Sequence, residues 1–382
     1  MSSEAALKFL KEQIEASGRR GLMPDGTPRC CMTFRDYMNF ALHHPDFGYY
    51  RSGTARVGRE GDFYTSAYIG DIMGEQLADW LSRLTADLYP DRAPIDVVDW
   101  GGGTGRLAGQ MLAAWQQAGE ADDRFRVTVV DGNPAHLARA EEALAEHIAA
   151  GRASVRSAEE AGSWRDRHTV VIANELLDAF PVHRVTYRGG KLREWGVAWD
   201  AEAEQLVPCL TDPGVPGLAA WLDRQGVRLA EGQTTEIGLD GAAWLADLSE
   251  RLGSAVIVFI DYGDGTAELT GSHRMDGTLL MYERHRAHAD PFRNPGEQDM
   301  TAHVDFDLIR DRAVRLGWQA HWYGTQKQFL VDSGVLGKLV RHDIADPFHP
   351  VARRNRAIRQ LLLSDGMSEL FKVQVWIKPD NR

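Results

Sequence analysis

Asp99-Trp100-Gly101-Gly102-Gly103-Thr104-Gly105 sets an acid ahead of glycines at alternate positions 101, 103 and 105. Glycine lets a backbone turn through left-handed conformations and approach a ligand closely. A helix starting just after such a turn offers N–H groups with no partner of their own. A dinucleotide loop would read G-x-G-x-x-G, with the pyrophosphate on the helix N-terminus. Here position 106 is Arg106, so the third glycine of that pattern is missing. An acid at the end of a strand repels a pyrophosphate and suits the cationic amino-acid end of S-adenosyl-L-methionine, a cofactor with a sulfonium and a ribose but no phosphate. Asp131 ends the next apolar run, where an acid of a doubly wound fold reaches ribose hydroxyls. Asp99, Gly101, Gly103, Gly105 and Asp131 are therefore assigned to this cofactor.

Methyl transfer asks a protein to position the partners and tune the nucleophile. Asn174 and Glu175 close a fourth apolar run, and Asp178 follows three residues later. On a helical turn Glu175 and Asp178 would share one face, and two carboxylates can grip a guanidinium. They are the candidate catalytic pair, with Asn174 on the cofactor side. Asp261 and Tyr262 end a fifth run and are expected to line the substrate channel. Asp62 and Ser66 sit in a loop of acids and hydroxyls expected to close over the cofactor. His303 is a candidate general base suited to an oxygen nucleophile. His285, His288 and His303 lack the HExxH pattern, so no metal is expected.

These residues need a scaffold that delivers strand ends to one edge. Apolar runs at 95–99, 126–131, 153–156, 169–174 and 255–260 alternate with helical stretches at 107–118, 134–150 and 241–252. Such alternation predicts a doubly wound α/β fold, a mostly parallel sheet with helices on both faces. Thr33 is placed to cap a helix over 34–43. The Gly189-Gly190 pair signals a hairpin, and residues 208–217 form a Pro/Gly cluster. The expected division is an N-terminal helical and loop segment over 1–92, the first part of the cofactor domain over 93–181, an insertion over 182–240, and the rest of the domain over 241–382 with a long loop at 262–302.

With 382 residues, the chain holds one large domain with additions, or two domains. A net charge of -12 argues against a broad nucleic-acid-binding surface. Three cysteines without a CxxC pair suggest a reducing compartment. With no apolar run of about 20 residues, no membrane span is expected. A cytoplasmic location is expected. Oligomeric state is not legible.

Longer strings carry a resemblance. They include His44-Pro45-Asp46-Phe47-Gly48-Tyr49-Tyr50, Gly58-Arg59-Glu60-Gly61-Asp62-Phe63-Tyr64-Thr65-Ser66 and Asn174-Glu175-Leu176-Leu177-Asp178-Ala179-Phe180-Pro181. Further on stand Asp261-Tyr262-Gly263, Gly277-Thr278-Leu279 and Asp299-Met300-Thr301-Ala302-His303-Val304-Asp305-Phe306, then Gly366-Met367 and Phe371-Lys372-Val373. In this order they resemble the MidA-like methyltransferases, over roughly Phe34 to Lys378. The chain departs from that family's usual pattern in having Asp99 and Asp131 where glutamates are common, and Ala67-Tyr68 where Pro-Glu is common. The family's eukaryotic members include a mitochondrial complex I assembly factor that methylates protein arginine. The resemblance implies a class I methyltransferase with a seven-stranded sheet, an N-terminal helical segment and an inserted subdomain. It also implies arginine nitrogen in a protein as acceptor. A small-molecule or peptide O- or N-methyltransferase is the alternative enzyme, and a non-catalytic assembly factor that binds the cofactor is the alternative outside catalysis.

Overall fold

The computed structural model describes residues 3–51, 69–90, 93–119, 124–283, 286–343, 346–363 and 367–379. Asp62, Ser66 and His285 lie outside the described residues, as does the string 58–66. The chain forms two compact units: Met1–Ser52, Asp178–Leu245 and Gly263–Arg312 make the first, and Gly53–Leu177, Ala246–Tyr262 and Ala313–Arg382 the second. The stretch 1–92 is thus shared between them, and 263–312 groups with 178–245.

The second unit is built on β1 (Ile95–Trp100), β2 (Phe125–Asp131), β3 (Ala153–Ser157), β4 (His168–Asn174), β5 (Ala255–Asp264), β6 (Gln319–Thr325) and β7 (Phe371–Lys378). Their order in the sheet is β6-β7-β5-β4-β1-β2-β3. The five strands from β5 to β3 run parallel, and β7 is antiparallel to both its neighbours. This is the seven-stranded class I methyltransferase sheet. All of β1 is buried, as expected for a parallel strand covered on both faces. Val97, Val127, Val170, Val256 and Val373 join one core with Met73, Leu77 and Leu81 of the helix Ile72–Leu88 and Leu107 and Met111 of the helix Arg106–Ala118. Because β1 pairs with β2 on one side and β4 on the other, the chain's progress reverses there. Open α/β sheets bind ligands at such a switch point, outside the carboxyl ends of the strands.

The first unit holds a six-stranded antiparallel sheet from Arg20–Leu22, Pro28–Thr33, His183–Arg188, Lys191–Asp200, Gln205–Thr211 and Thr234–Ile237. Four of its strands close into a ring, because Lys191–Asp200 pairs with both Pro28–Thr33 and Gln205–Thr211. Cys31, Ala198 and Cys209 form a small buried cluster there. Gly189 and Gly190 have φ of 61° and 76°, the two left-handed positions a tight hairpin turn requires. Thr33 caps the helix Phe34–His43 by accepting the Asp36 N–H at 3.0 Å.

Several local expectations need correction. The 262–302 stretch is not a bare loop: Leu280–Glu283, Arg286–His288 and Asp299–Thr301 form a three-stranded sheet. Strands this short offer too few alternations for a period-two pattern to register. Pro208 lies inside the strand Gln205–Thr211 rather than in a loop. The helix expected over 134–150 is two, Pro134–Ala143 and Ala145–Ala149, parted at Leu144.

Candidate active site

The glycine loop leaves β1 at the switch point. Gly101, Gly103 and Gly105 have φ of 74°, 55° and 73°, which residues with a β-carbon adopt only at a cost of about 1–2 kcal/mol each. A β-carbon on Gly101 would also lie 2.8 Å from Leu176 Cδ1. A β-carbon on Gly103 would meet nothing within 4 Å among the described residues.

Asp99 is 1% exposed. Burial, then the Asp131 carboxylate, push its carboxyl from the ordinary 3.8 up to about 7, against the Ala108 backbone N–H, which lowers it. Its Oδ2 has no hydrogen-bond partner among the described residues. Asp131, at the end of β2, accepts the Gly103 N–H at 2.9 Å and the Asn133 N–H at 2.7 Å, with His136 Nδ1 at 3.3 Å. Its carboxylate therefore shapes the loop. At the end of β4, Asn174 Oδ1 is a second buried oxygen with no partner among the described residues. Buried oxygens of this kind are costly unless something satisfies them. A ligand bringing an ammonium, a sulfonium and ribose hydroxyls supplies both the cation and the donors. The residues present fit S-adenosyl-L-methionine; Asp99, Asp131, Asn174 and the glycine backbone would hold it.

The turn after β4 differs from expectation. Glu175 has φ of 52°, and only a three-residue 3-10 turn, Leu177–Ala179, follows. No helical face carries Glu175 and Asp178 together. Two other contacts fix this turn. The Glu175 N–H donates to Ile260 O at 2.8 Å. Asp261, fully buried, accepts the Leu176 and Leu177 N–H groups on Oδ2 at 3.1 and 2.8 Å and the Tyr262 N–H on Oδ1 at 2.9 Å. Asp261 was expected to line a substrate channel; both its oxygens instead hold backbone. Tyr262 is half-buried and packs edge-on to Phe371, ring centroids 5.6 Å apart. The Glu175 side chain is half-buried and accepts from Asn174 Nδ2 at 3.3 Å.

The second unit therefore brings together Asp99, the three glycines, Asp131, Asn174, Glu175, Asp261 and Tyr262. Asp178 and His303 belong to the first unit. Asp178 is buried, and its carbonyl accepts the Ala302 N–H at 3.2 Å. The His303 N–H donates to Thr278 Oγ1 at 3.0 Å, and that hydroxyl donates to buried Glu236 at 3.1 Å. Sequence reasoning missed this Glu236–Thr278 pair and the Tyr50 hydroxyl that donates to Asp299 at 2.7 Å. It also missed Asn133, which caps the helix Pro134–Ala143; the Asn-Pro step is a legible signal for a cap followed by proline at the first helical position.

A seven-stranded sheet with an acid-led glycine loop at its switch point defines a class I methyltransferase. Residues 73–324 match the model of a family described as S-adenosyl-L-methionine-dependent methyltransferases, and the chain belongs to that family. A Burkholderia thailandensis structure with S-adenosyl-homocysteine bound is 30% identical, with a TM-score of 0.84 over 98% of this chain and 92% of that one. Among curated proteins, the mitochondrial protein arginine methyltransferase NDUFAF7 homolog of Drosophila melanogaster is 29% identical over 77% of this chain and 69% of its own length. The human mitochondrial protein arginine methyltransferase NDUFAF7 is 28% identical over 74% of this chain and 65% of its own. The chain is thus an S-adenosyl-L-methionine-dependent methyltransferase of the MidA-like group. The expected cytoplasmic location is corrected by these relatives, which are named as mitochondrial. Sparse unpaired cysteines report a reducing environment, and that does not single out one compartment.

Proposed function

We propose that the methyl acceptor is an arginine side chain of a protein and that Glu175 holds its guanidinium. The observation that carries this reading is the Glu175 turn: a half-buried carboxylate follows β4 directly, in a left-handed conformation fixed by Ile260 and Asp261. Relatives named as protein arginine methyltransferases support the choice of acceptor. Bound S-adenosyl-L-methionine supplies an electrophilic methyl on a sulfonium. Arginine stays protonated at any working pH, so the protein must orient a charged group. A carboxylate against two guanidinium nitrogens draws the positive charge toward itself and leaves the third nitrogen richer in electrons. Transfer makes one N–C bond, breaks one S–C bond and releases one proton from the nitrogen.

The test is Glu175→Gln. Turnover on protein substrate should fall about 10²-fold or more, the size of losing one charged contact to a transition state, while affinity for S-adenosylhomocysteine holds. Mass spectrometry of the product should find the new carbon on arginine nitrogen. Full activity in the variant, or a methyl on oxygen with a pH–rate curve rising near neutrality as a histidine base would give, refutes the proposal.

A further inference from the structure

We infer that Asp261 is a positioning residue for the reaction: its buried carboxylate, which accepts the Leu176 and Leu177 N–H groups, sets the left-handed turn that aims Glu175. The inference rests on the reading of Glu175 as the group that holds the acceptor.

Asp261 lies on β5, the neighbour of β4, where Ile260 pairs with Asn174. The chain leaves β4 at Asn174 and must turn within one residue, and Glu175 does so at φ of 52°. Glutamate gains nothing intrinsic from that conformation, unlike glycine or asparagine. Something outside the turn must hold it. Two contacts from β5 do so: Ile260 O takes the Glu175 N–H, and Asp261 Oδ2 takes the next two N–H groups. The accepting carboxyl is fully buried, so bulk water does not compete for these N–H groups. Strained residues persist where surroundings over-determine them, and they cluster at functional sites. The same turn places Leu176 against Gly101, so the clamp also braces the glycine loop. A buried aspartate holding the two consecutive amides of Leu176 and Leu177, with its other oxygen on the Tyr262 amide, is a device for fixing backbone, and the side chain this backbone presents is Glu175.

The experiment is a double-mutant cycle on the full chain. Asp261→Asn keeps the shape but halves the oxygens available to the amides. Asp261→Ser is a smaller second variant that still offers an acceptor. Turnover in either should fall about tenfold or more. Because Asp261 acts through Glu175, adding Asp261→Asn to Glu175→Gln should lower turnover by less than about twofold further. A merely structural role would multiply the two losses, and that result overturns the inference while leaving Glu175 in place. Unchanged turnover in Asp261→Asn and Asp261→Ser overturns it as well. If neither variant folds, Asp261 is a folding residue and the inference fails. A fully active Glu175→Gln enzyme instead removes the reading beneath it, so the two failures are told apart by the single variants.

Discussion

Replacing Asp99 by asparagine should stabilise the ligand-free protein at alkaline pH while weakening cofactor binding. Asp99 is buried and its carboxyl sits at about 7, against 3.8 for an ordinary aspartate. The folded state therefore holds this proton more tightly than the unfolded chain does. Stability from the group is fully present below about 4 and is lost as pH rises through about 7. Above that, the buried charge costs about 4 kcal/mol, at about 1.4 kcal/mol per pKa unit. Asparagine never carries the charge, but its amide group inherits a site whose Oδ2 has no partner among the described residues, at a cost of about 1–3 kcal/mol. The variant should thus be more stable than the wild type at pH 8.5 by about 1–3 kcal/mol, and this advantage should shrink by about 2–3 kcal/mol at pH 5, where the folded carboxyl is protonated. Urea denaturation followed at both pH values measures the difference directly. A bound cation favours the ionised carboxyl, so wild-type affinity for S-adenosyl-L-methionine should rise by up to about tenfold per pH unit as pH increases toward 7. Titration calorimetry should find this slope absent in Asp99→Asn. A variant-minus-wild-type stability that does not change with pH, together with a pH slope retained in the variant, would refute the account of Asp99.

Two further substitutions probe the same loop. In Gly102→Ala the new β-carbon would lie 2.7 Å from Asp99 Oδ2 and 2.9 Å from Asp99 O, so the acid must move; cofactor affinity should drop about tenfold or more and stability by about 1–3 kcal/mol, whereas a β-carbon on Gly103 would meet none of the described residues within 4 Å. Asp131→Ala removes the acceptor of the Gly103 and Asn133 N–H groups and should weaken S-adenosylhomocysteine binding by about 1–3 kcal/mol; unchanged affinity would leave Asp131 outside the cofactor site.

The amino-acid sequence alone was enough for the parallel sheet, the glycine loop and the choice of cofactor. The strands are continuous apolar runs, because a parallel sheet is covered on both faces. The loop announces itself because left-handed turns select glycine. Asp99, Gly101, Gly103, Gly105 and Asp131 are therefore legible from local pattern. Features set by partners far along the chain were not legible. The Glu175–Asp178 spacing suits a helix, and only the tertiary contact with Ile260 and Asp261, 85 residues from Leu176, turns Glu175 left-handed instead. Asp261 reads as one more acid at a strand end; its work is defined by amides that folding brings to it. The ring of strands in the first unit escaped notice because Pro28–Thr33 pairs with Lys191–Asp200, and Arg20–Leu22 with Gln205–Thr211, across well over a hundred residues of sequence. Local propensity decides which residues form an element and which glycines turn a loop, but hydrogen-bond partners that close only in three dimensions decide where a carboxylate points.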